Sequence, residues 1–342
     1  MKTFSTVPLL RRPTGQPLLI WLAAMLLLVA PAIAENEAEP SPVALSSKVL
    51  QLDPDDPTRQ RIGRLMWRGG IEITASDSRF GGLSGLLVSA DGARLLAVND
   101  KGRWLTANLR YDTEGRLIGI GNAQMARLRD LDGDAISKKR RGDAESLAEL
   151  ADGSILVSFE RKHRIWLYTS KEGPLLSRPT AWPKPKGLDD APGNSGLEAL
   201  VALADGGLLA LTEGQSNGSG NVGYLWRDSA WSRLTYHAKA NFKPTGASRL
   251  PGSDDLLVLE RAAQTLSGFR VRLVRLAAGN IRAGAELRGE ELASWGQSLT
   301  IDNFEALATR RGPDGEILIY LMSDDNFSFF QRTLLLMFAL DD

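Results

Sequence analysis

The 342-residue chain has no cysteine and only two histidines, His163 and His237. The first absence excludes disulfides, thiolate metal sites and a cysteine nucleophile. The second leaves no histidine pair at ligand spacing, so a histidine-rich metal centre is excluded as well. There is no surplus of charge, with 41 Lys+Arg against 41 Asp+Glu, and hence no electrostatic footprint for nucleic acid. Beyond the first 34 residues no apolar run reaches the length of about 20 residues needed to span a bilayer. A serine-hydrolase elbow is also missing. Gly82-Leu-Ser84-Gly and Gly193-Asn-Ser195-Gly both lack the G-x-S-x-G spacing.

The N-terminus carries an export pattern. Lys2, Arg11 and Arg12 form a basic region, Leu18–Ala30 is apolar and uncharged, and Ala32-Ile-Ala34 presents a small-x-small cleavage site. Residues 1–34 are therefore expected to be a signal peptide, which places the mature chain in the periplasm or outside the cell. Residues 35–46, rich in Glu, Pro, Ser and Ala, are expected to be a flexible leader. A single domain is expected over 47–342, monomeric, stabilised by core burial alone.

The body of the chain repeats itself. An offset of 53 residues lays Glu145-Ser-Leu-Ala-Glu-Leu-Ala-Asp-Gly on Glu198-Ala-Leu-Val-Ala-Leu-Ala-Asp-Gly and brings Glu160 onto Glu213. Residues 84–100, 245–260 and 305–325 repeat the outline. Each copy is a short alternating strand, a turn rich in Asp and Gly, and an apolar strand ending at an acid; the Gly suits the positive φ of a tight turn. A third strand is expected at 103–111, 164–169, 222–227, 269–276 and 332–339, and a polar fourth follows in most copies. Units of roughly fifty residues with four antiparallel strands are propeller blades. The expected fold is thus an all-β propeller with five motif-bearing repeats. Residues 62–74 would supply the last copy's missing outer strand, and 47–80 could hide a sixth blade. The competing reading is an open sandwich of short strands.

In an antiparallel hairpin the start of one strand lies beside the end of the next. The repeat therefore gathers Glu145 with Glu160, Glu198 with Glu213, Thr245 with Glu260, Glu305 with Asp324 or Asp325, and Ser84 with Asn99 and Asp100 on one face. The candidate metal ligands are Glu145, Glu198, Glu213, Glu260, Glu305, Asp100 and Asp324. As hard oxygen donors they suit Ca²⁺. Glu198, Glu145 and Glu305 are also the candidate catalytic acids, with Arg161, Arg261 and Lys101 as the cations that orient a small anionic substrate. The same repetition is what structural caps paired to neighbouring arginines would produce. Asp130-Leu-Asp132-Gly-Asp134 resembles the opening of a calcium loop, although no Glu closes it at the usual spacing. Trp104, Trp166 and Trp226 recur at third-strand positions, where packing between blades accounts for them.

Several strings together resemble a known family: Phe80-Gly-Gly-Leu-Ser84-Gly, Asn99-Asp-Lys-Gly-Arg103-Trp104, Gly142-Asp-Ala-Glu145-Ser, Ser158-Phe-Glu160-Arg161, Asn303-Phe-Glu305-Ala and Ser323-Asp-Asp-Asn326-Phe. They resemble the bacterial exported phytase-like family, described as having esterase-like activity of phytase, over residues 62–340. The resemblance implies a distant relation to the six-bladed, calcium-dependent β-propeller phytases. It implies metal-assisted hydrolysis of a phosphate or carboxylic ester. A non-catalytic binding or scaffold propeller of the cell envelope and a calcium-dependent lactonase-like propeller are the alternatives.

Overall fold

The computed structural model describes residues 39–341 apart from 172, 217, 219 and 265–267. The expected signal peptide lies outside them. From residue 39 onward the chain falls in one compact unit of all-β structure with a propeller-like arrangement.

The repeats fold as expected. The first pairs Leu83–Val88, Arg94–Asn99, Arg103–Tyr111 and Leu117–Arg127 in antiparallel order. The second comprises Ala144–Glu149, Ile155–Phe159, Arg164–Tyr168 and Thr180–Trp182. The third runs from Leu197–Ala202 through Leu208–Ser216 and Asn221–Arg227 to Ala230–Tyr236, with the two-residue strand Glu286–Leu287 added in parallel. The fourth contains Lys243–Arg249, Leu256–Gln264, Gly268–Leu276 and Glu290–Trp295. The fifth joins Phe304–Arg311, Ile317–Ser323 and Thr333–Leu340 to Leu65–Thr74 from the start of the domain. That last pairing closes the unit with the segment expected to close it. It also spends residues 65–74, so 47–80 builds no sheet of its own. One parallel strand pairing, Gly69 with Leu117, also links the fifth unit to the first.

Two local causes explain the recurring hairpin. The first strands each bury three or four consecutive residues, and the second strands are nearly continuous apolar runs buried on both faces: Ile155–Phe159 is buried throughout. The intervening turn carries a glycine with positive φ in every unit: Gly92, Gly153, Gly206, Gly252 and Gly315. The core is divided into five hydrophobic clusters, and each draws on two neighbouring units. Leu147, Val157 and Tyr168 of the second unit pack with Val98 and Trp104 of the first, for example. The first strand of each unit lies against the first strand of the next, and the fifth against the first, so these five strands surround a common axis.

The leader is a correction. Ser41–Val43 pairs with Leu117–Arg127, and Ser46–Val49 pairs with Leu65–Thr74. Pairing with otherwise open strand edges orders these residues despite their polar composition. Among the described residues no helix is long and apolar enough to cross a membrane.

Candidate functional site: an acidic cavity built on five bulges

Each inner strand carries a β-bulge at the same place. In the second unit Ala144 pairs with Phe159 and Ser146 with Ser158, which leaves Glu145 unpaired between them. The same step skips Ser84, Glu198, Thr245 and Glu305 in the other four units. A bulge inserts one extra residue opposite a single partner and re-aims its side chain. Three of the five residues so treated are glutamates, and all three line one cavity of about 270 Å³ together with Ser84.

A second ring sits beside the first, one residue beyond the second-strand partner of the residue that precedes each bulge. Its members are Asp100, Glu160, Glu213, Arg261 and Asp324, and all five line the cavity. Glu260 is therefore a correction. It pairs with Pro244, so its counterparts are Asn99, Phe159, Thr212 and Ser323 rather than Glu213. The cause is a longer turn. Leu250 N–H bonds to the carbonyl of Asp255, the same span as Ser89 to Arg94 in the first unit, whereas Leu203 of the third unit reaches only Gly207 and Leu150 of the second only Ser154. The extra residue slides the second strand by one, which sends Glu260 inside and brings Arg261 to the mouth. Glu260 is 1% exposed, paired to Arg272, and accepts the Tyr236 hydroxyl at 2.6 Å. It is a structural ion pair.

Eight carboxylates line the cavity against three cations, Lys139, Arg161 and Arg261. Arg261 is held by three acceptors: Asn303 Oδ1, Glu213 at 3.2 Å and Glu305 at 3.1 Å. It neutralises the wall of the cavity and has little left to offer a ligand. Arg161 adopts φ 56° and turns its guanidinium onto Asp143. A non-glycine residue in this region of backbone space is strained, and such strain concentrates at functional sites. Lys139 pairs with Asp100. Lys101 is another correction: its ammonium lies 2.9 Å from the centre of the Phe327 ring and it does not line the cavity. Between Asp324 and Asp325, the structure gives the cavity position to Asp324. Asp325 instead accepts the Gly82 and Phe327 N–H groups and the Thr333 hydroxyl.

The electrostatics follow from crowding. Burial pushes Glu145 and Glu198 well above the ordinary carboxylate range, and the surrounding carboxylates push them further: chiefly Glu160 and Asp143 for Glu145, and Glu145 and Glu160 for Glu198. Burial likewise raises Asp324, with Glu305 adding to it, and raises Asp143 and Glu160. Glu305 is pushed up to about 7 by burial, against the pull of Arg261. The Glu198 carboxyl donates to Glu160, whose Oε1 also accepts the Gly196 N–H.

Carboxylate oxygens of Asp143, Glu145 and Glu160 all lie within 4.8 Å of one another, close enough to coordinate one metal ion. Calcium–oxygen bonds of about 2.4 Å put opposite ligands about 4.8 Å apart, so one ion can reach all three. The donors are all hard oxygens, which fits Ca²⁺ or Mg²⁺ and not a soft metal. Asp143 was not among the candidate ligands. The signal for it lies in the repeat: the residue two before each bulge is Gly82, Asp143, Gly196, Lys243 and Asn303, and only one of these is acidic. The Asp130 loop does not share this chemistry. Asp130 accepts the backbone N–H groups of Asp132 and Asp134 through one oxygen and Arg141 through the other. Both oxygens are spent on an acidic turn.

A family model described as "Phytase-like: Esterase-like activity of phytase" matches residues 78–327. No curated protein sequence matches. Among solved structures, a protein of unknown function from Dyadobacter fermentans is similar with a TM-score of 0.42 and 12% identity, covering 87% of this chain and 95% of that one. A virginiamycin B lyase from Staphylococcus aureus is similar at 0.41 and 12%, covering 85% and 99%. An aldose sugar dehydrogenase from Streptomyces coelicolor is similar at 0.40 and 14%, covering 87% and 99%.

Proposed function

From the premise that this chain belongs to the phytase-like family, we propose that it is an exported, five-bladed propeller hydrolase that cleaves a phosphate or carboxylic ester of a small anionic substrate with the help of bound Ca²⁺. The observation that carries this reading is the set of three converging carboxylates, Asp143, Glu145 and Glu160, inside a cavity whose acids outnumber its cations. Carboxylates packed so closely need a compensating cation or shared protons. A bound divalent ion supplies a Lewis acid for the ester and an activated water.

The remaining roles belong to the chain itself. Asp143, Glu145 and Glu160 hold the ion. Burial and the carboxylates of Glu145 and Glu160 favour the protonated form of Glu198, which hydrogen-bonds to Glu160. It is therefore placed to give that proton to the oxygen of the departing alcohol while water adds to the phosphorus or acyl carbon. Arg161 stands at the rim beside Asp143 and Asn194 and orients the substrate's anionic group. Arg261 and Glu213 fix the far wall.

The non-catalytic scaffold reading draws support from Glu260, a repeat acid absorbed entirely by structural contacts. A panel of phosphate monoesters and diesters and of carboxylic esters, assayed with added Ca²⁺ and with chelator, separates the two. Calcium-dependent turnover by the wild type that is lost in Glu198→Gln is expected. No turnover of any ester under either condition would remove the catalytic reading.

A further inference from the structure

The chain between the strands Ile317–Ser323 and Thr333–Leu340 ends in the most exposed apolar residues of the described structure. Phe329 and Phe330 are 97% and 92% exposed; the other exposed large apolar side chains among the described residues reach at most 55%. The two rings meet edge to face at 5.9 Å and touch nothing that buries them. Their loop is firmly rooted. Asp325 clamps it to Gly82 and Thr333, Asn326 donates to Gln331 at 2.7 Å, and Phe327 lies over Gly81 and Gly82 under the Lys101 ammonium. Asn326 and Phe327 both adopt positive φ, 49° and 50°, a costly conformation for residues with side chains. The protein therefore holds the phenylalanine pair outward on a fixed base.

The loop stands at the cavity mouth, because Asp324 and Asn326 line the cavity. On the same rim, Lys139 and Arg161 join Arg140 along a basic cleft contiguous with that cavity. Arg140 and its neighbours Lys138 and Lys162 are exposed, and no ion pair or hydrogen bond engages their head groups among the described residues. The acids, by contrast, are recessed. The loop beside the cavity thus carries two exposed aromatic rings, and the segments beside the basic cleft carry three exposed, unpaired cations.

We propose that this face docks on an anionic lipid surface, with Phe329 and Phe330 entering the interface and Lys138, Arg140 and Lys162 meeting the headgroups. Aromatic tips with flanking cations are the composition that interfacial binding uses. A second copy of the chain is a poorer occupant, since two phenylalanines offer on the order of 400 Å² against the 1,200 Å² or more of a stable interface. The docking does not depend on the chemistry of the cavity, so it stands or falls apart from the hydrolase reading.

The test is co-sedimentation of the mature protein with vesicles of phosphatidylcholine alone and of phosphatidylcholine mixed with phosphatidylglycerol. Binding to the mixed vesicles, weakened by salt and reduced roughly tenfold in the double variant Phe329→Ser/Phe330→Ser at unchanged melting temperature, is expected. Both side chains are solvent-exposed, so the double variant loses only the contact between the two rings. Wild-type protein left in the supernatant, or equal sedimentation of the double variant, overturns the proposal. So does velocity sedimentation showing a wild-type dimer that the double variant dissolves, since that would assign the patch to self-association.

Discussion

Replacing Glu198 with Gln separates a functional acid from a structural cap, because the two roles predict opposite signs. The Glu198 carboxyl is raised by burial and by Glu145 and Glu160, and it donates to Glu160. Gln keeps an N–H donor for that contact and removes a charge that the site resists. The sign is the one that Glu305 shows in the same cavity, moved from 4.5 to about 7. For Glu305 that shift corresponds to about 3.5 kcal/mol at about 1.4 kcal/mol per pH unit, and it opposes folding once the pH exceeds both values. Glu198 is raised in the same direction, so in chelator at pH 8 Glu198→Gln should raise the melting temperature. Differential scanning calorimetry with and without Ca²⁺ reads this directly. Calcium should raise the wild-type melting temperature and raise that of Glu198→Gln much less. A lower melting temperature for the variant in chelator would refute the reasoning, because that is the result of deleting a structural cap.

Three further outcomes follow from the same geometry. The cavity carboxyls have folded pKa values above their unfolded ones, so the folded state holds more protons. Without metal, stability should fall as pH rises from about 4.5 through about 7, the window that Glu305 sets, and Ca²⁺ should flatten that slope in thermal melts. Asp143→Asn should weaken calcium affinity at least roughly tenfold in calorimetric titration while leaving the fold intact, since it removes one of three converging ligands. Glu260→Gln should do the reverse. Breaking the buried pair with Arg272 should cost about 3 kcal/mol in denaturant unfolding and leave calcium affinity unchanged, and a change in affinity would return Glu260 to the site.

Much of this was legible because repetition multiplies a weak signal. The Glu145–Glu160 and Glu198–Glu213 copies placed strands, turns and the acidic face together. The closing role of residues 62–74 followed from a missing outer strand. What was not legible came from single-residue offsets. The turn after Leu250 is one residue longer than those after Leu150 and Leu203, so an alignment by acidic ends on those two copies chose Glu260 where the strand pairing delivers Arg261. The bulges were invisible too, since no residue type marks them; Ser84, Glu145, Glu198, Thr245 and Glu305 share a backbone irregularity and not a chemistry. Lys101 was read as a mouth cation from its position, yet the ring of Phe327, distant in sequence, draws it aside. Asp143 was missed for the opposite reason: attention to what recurs hides the one acid that does not.

The central claim is that the cavity's surplus of carboxylates is built to hold a divalent cation. Isothermal titration of Ca²⁺ into the metal-free mature protein near pH 6.5, in two buffers of different ionisation enthalpy, tests it most directly. The account predicts saturable binding coupled to proton release, because Glu145 must give up a proton that burial and the neighbouring carboxylates favour. Binding and proton release should both be lost in Glu145→Gln. The absence of calcium binding, or binding that Glu145→Gln leaves unchanged, would contradict it.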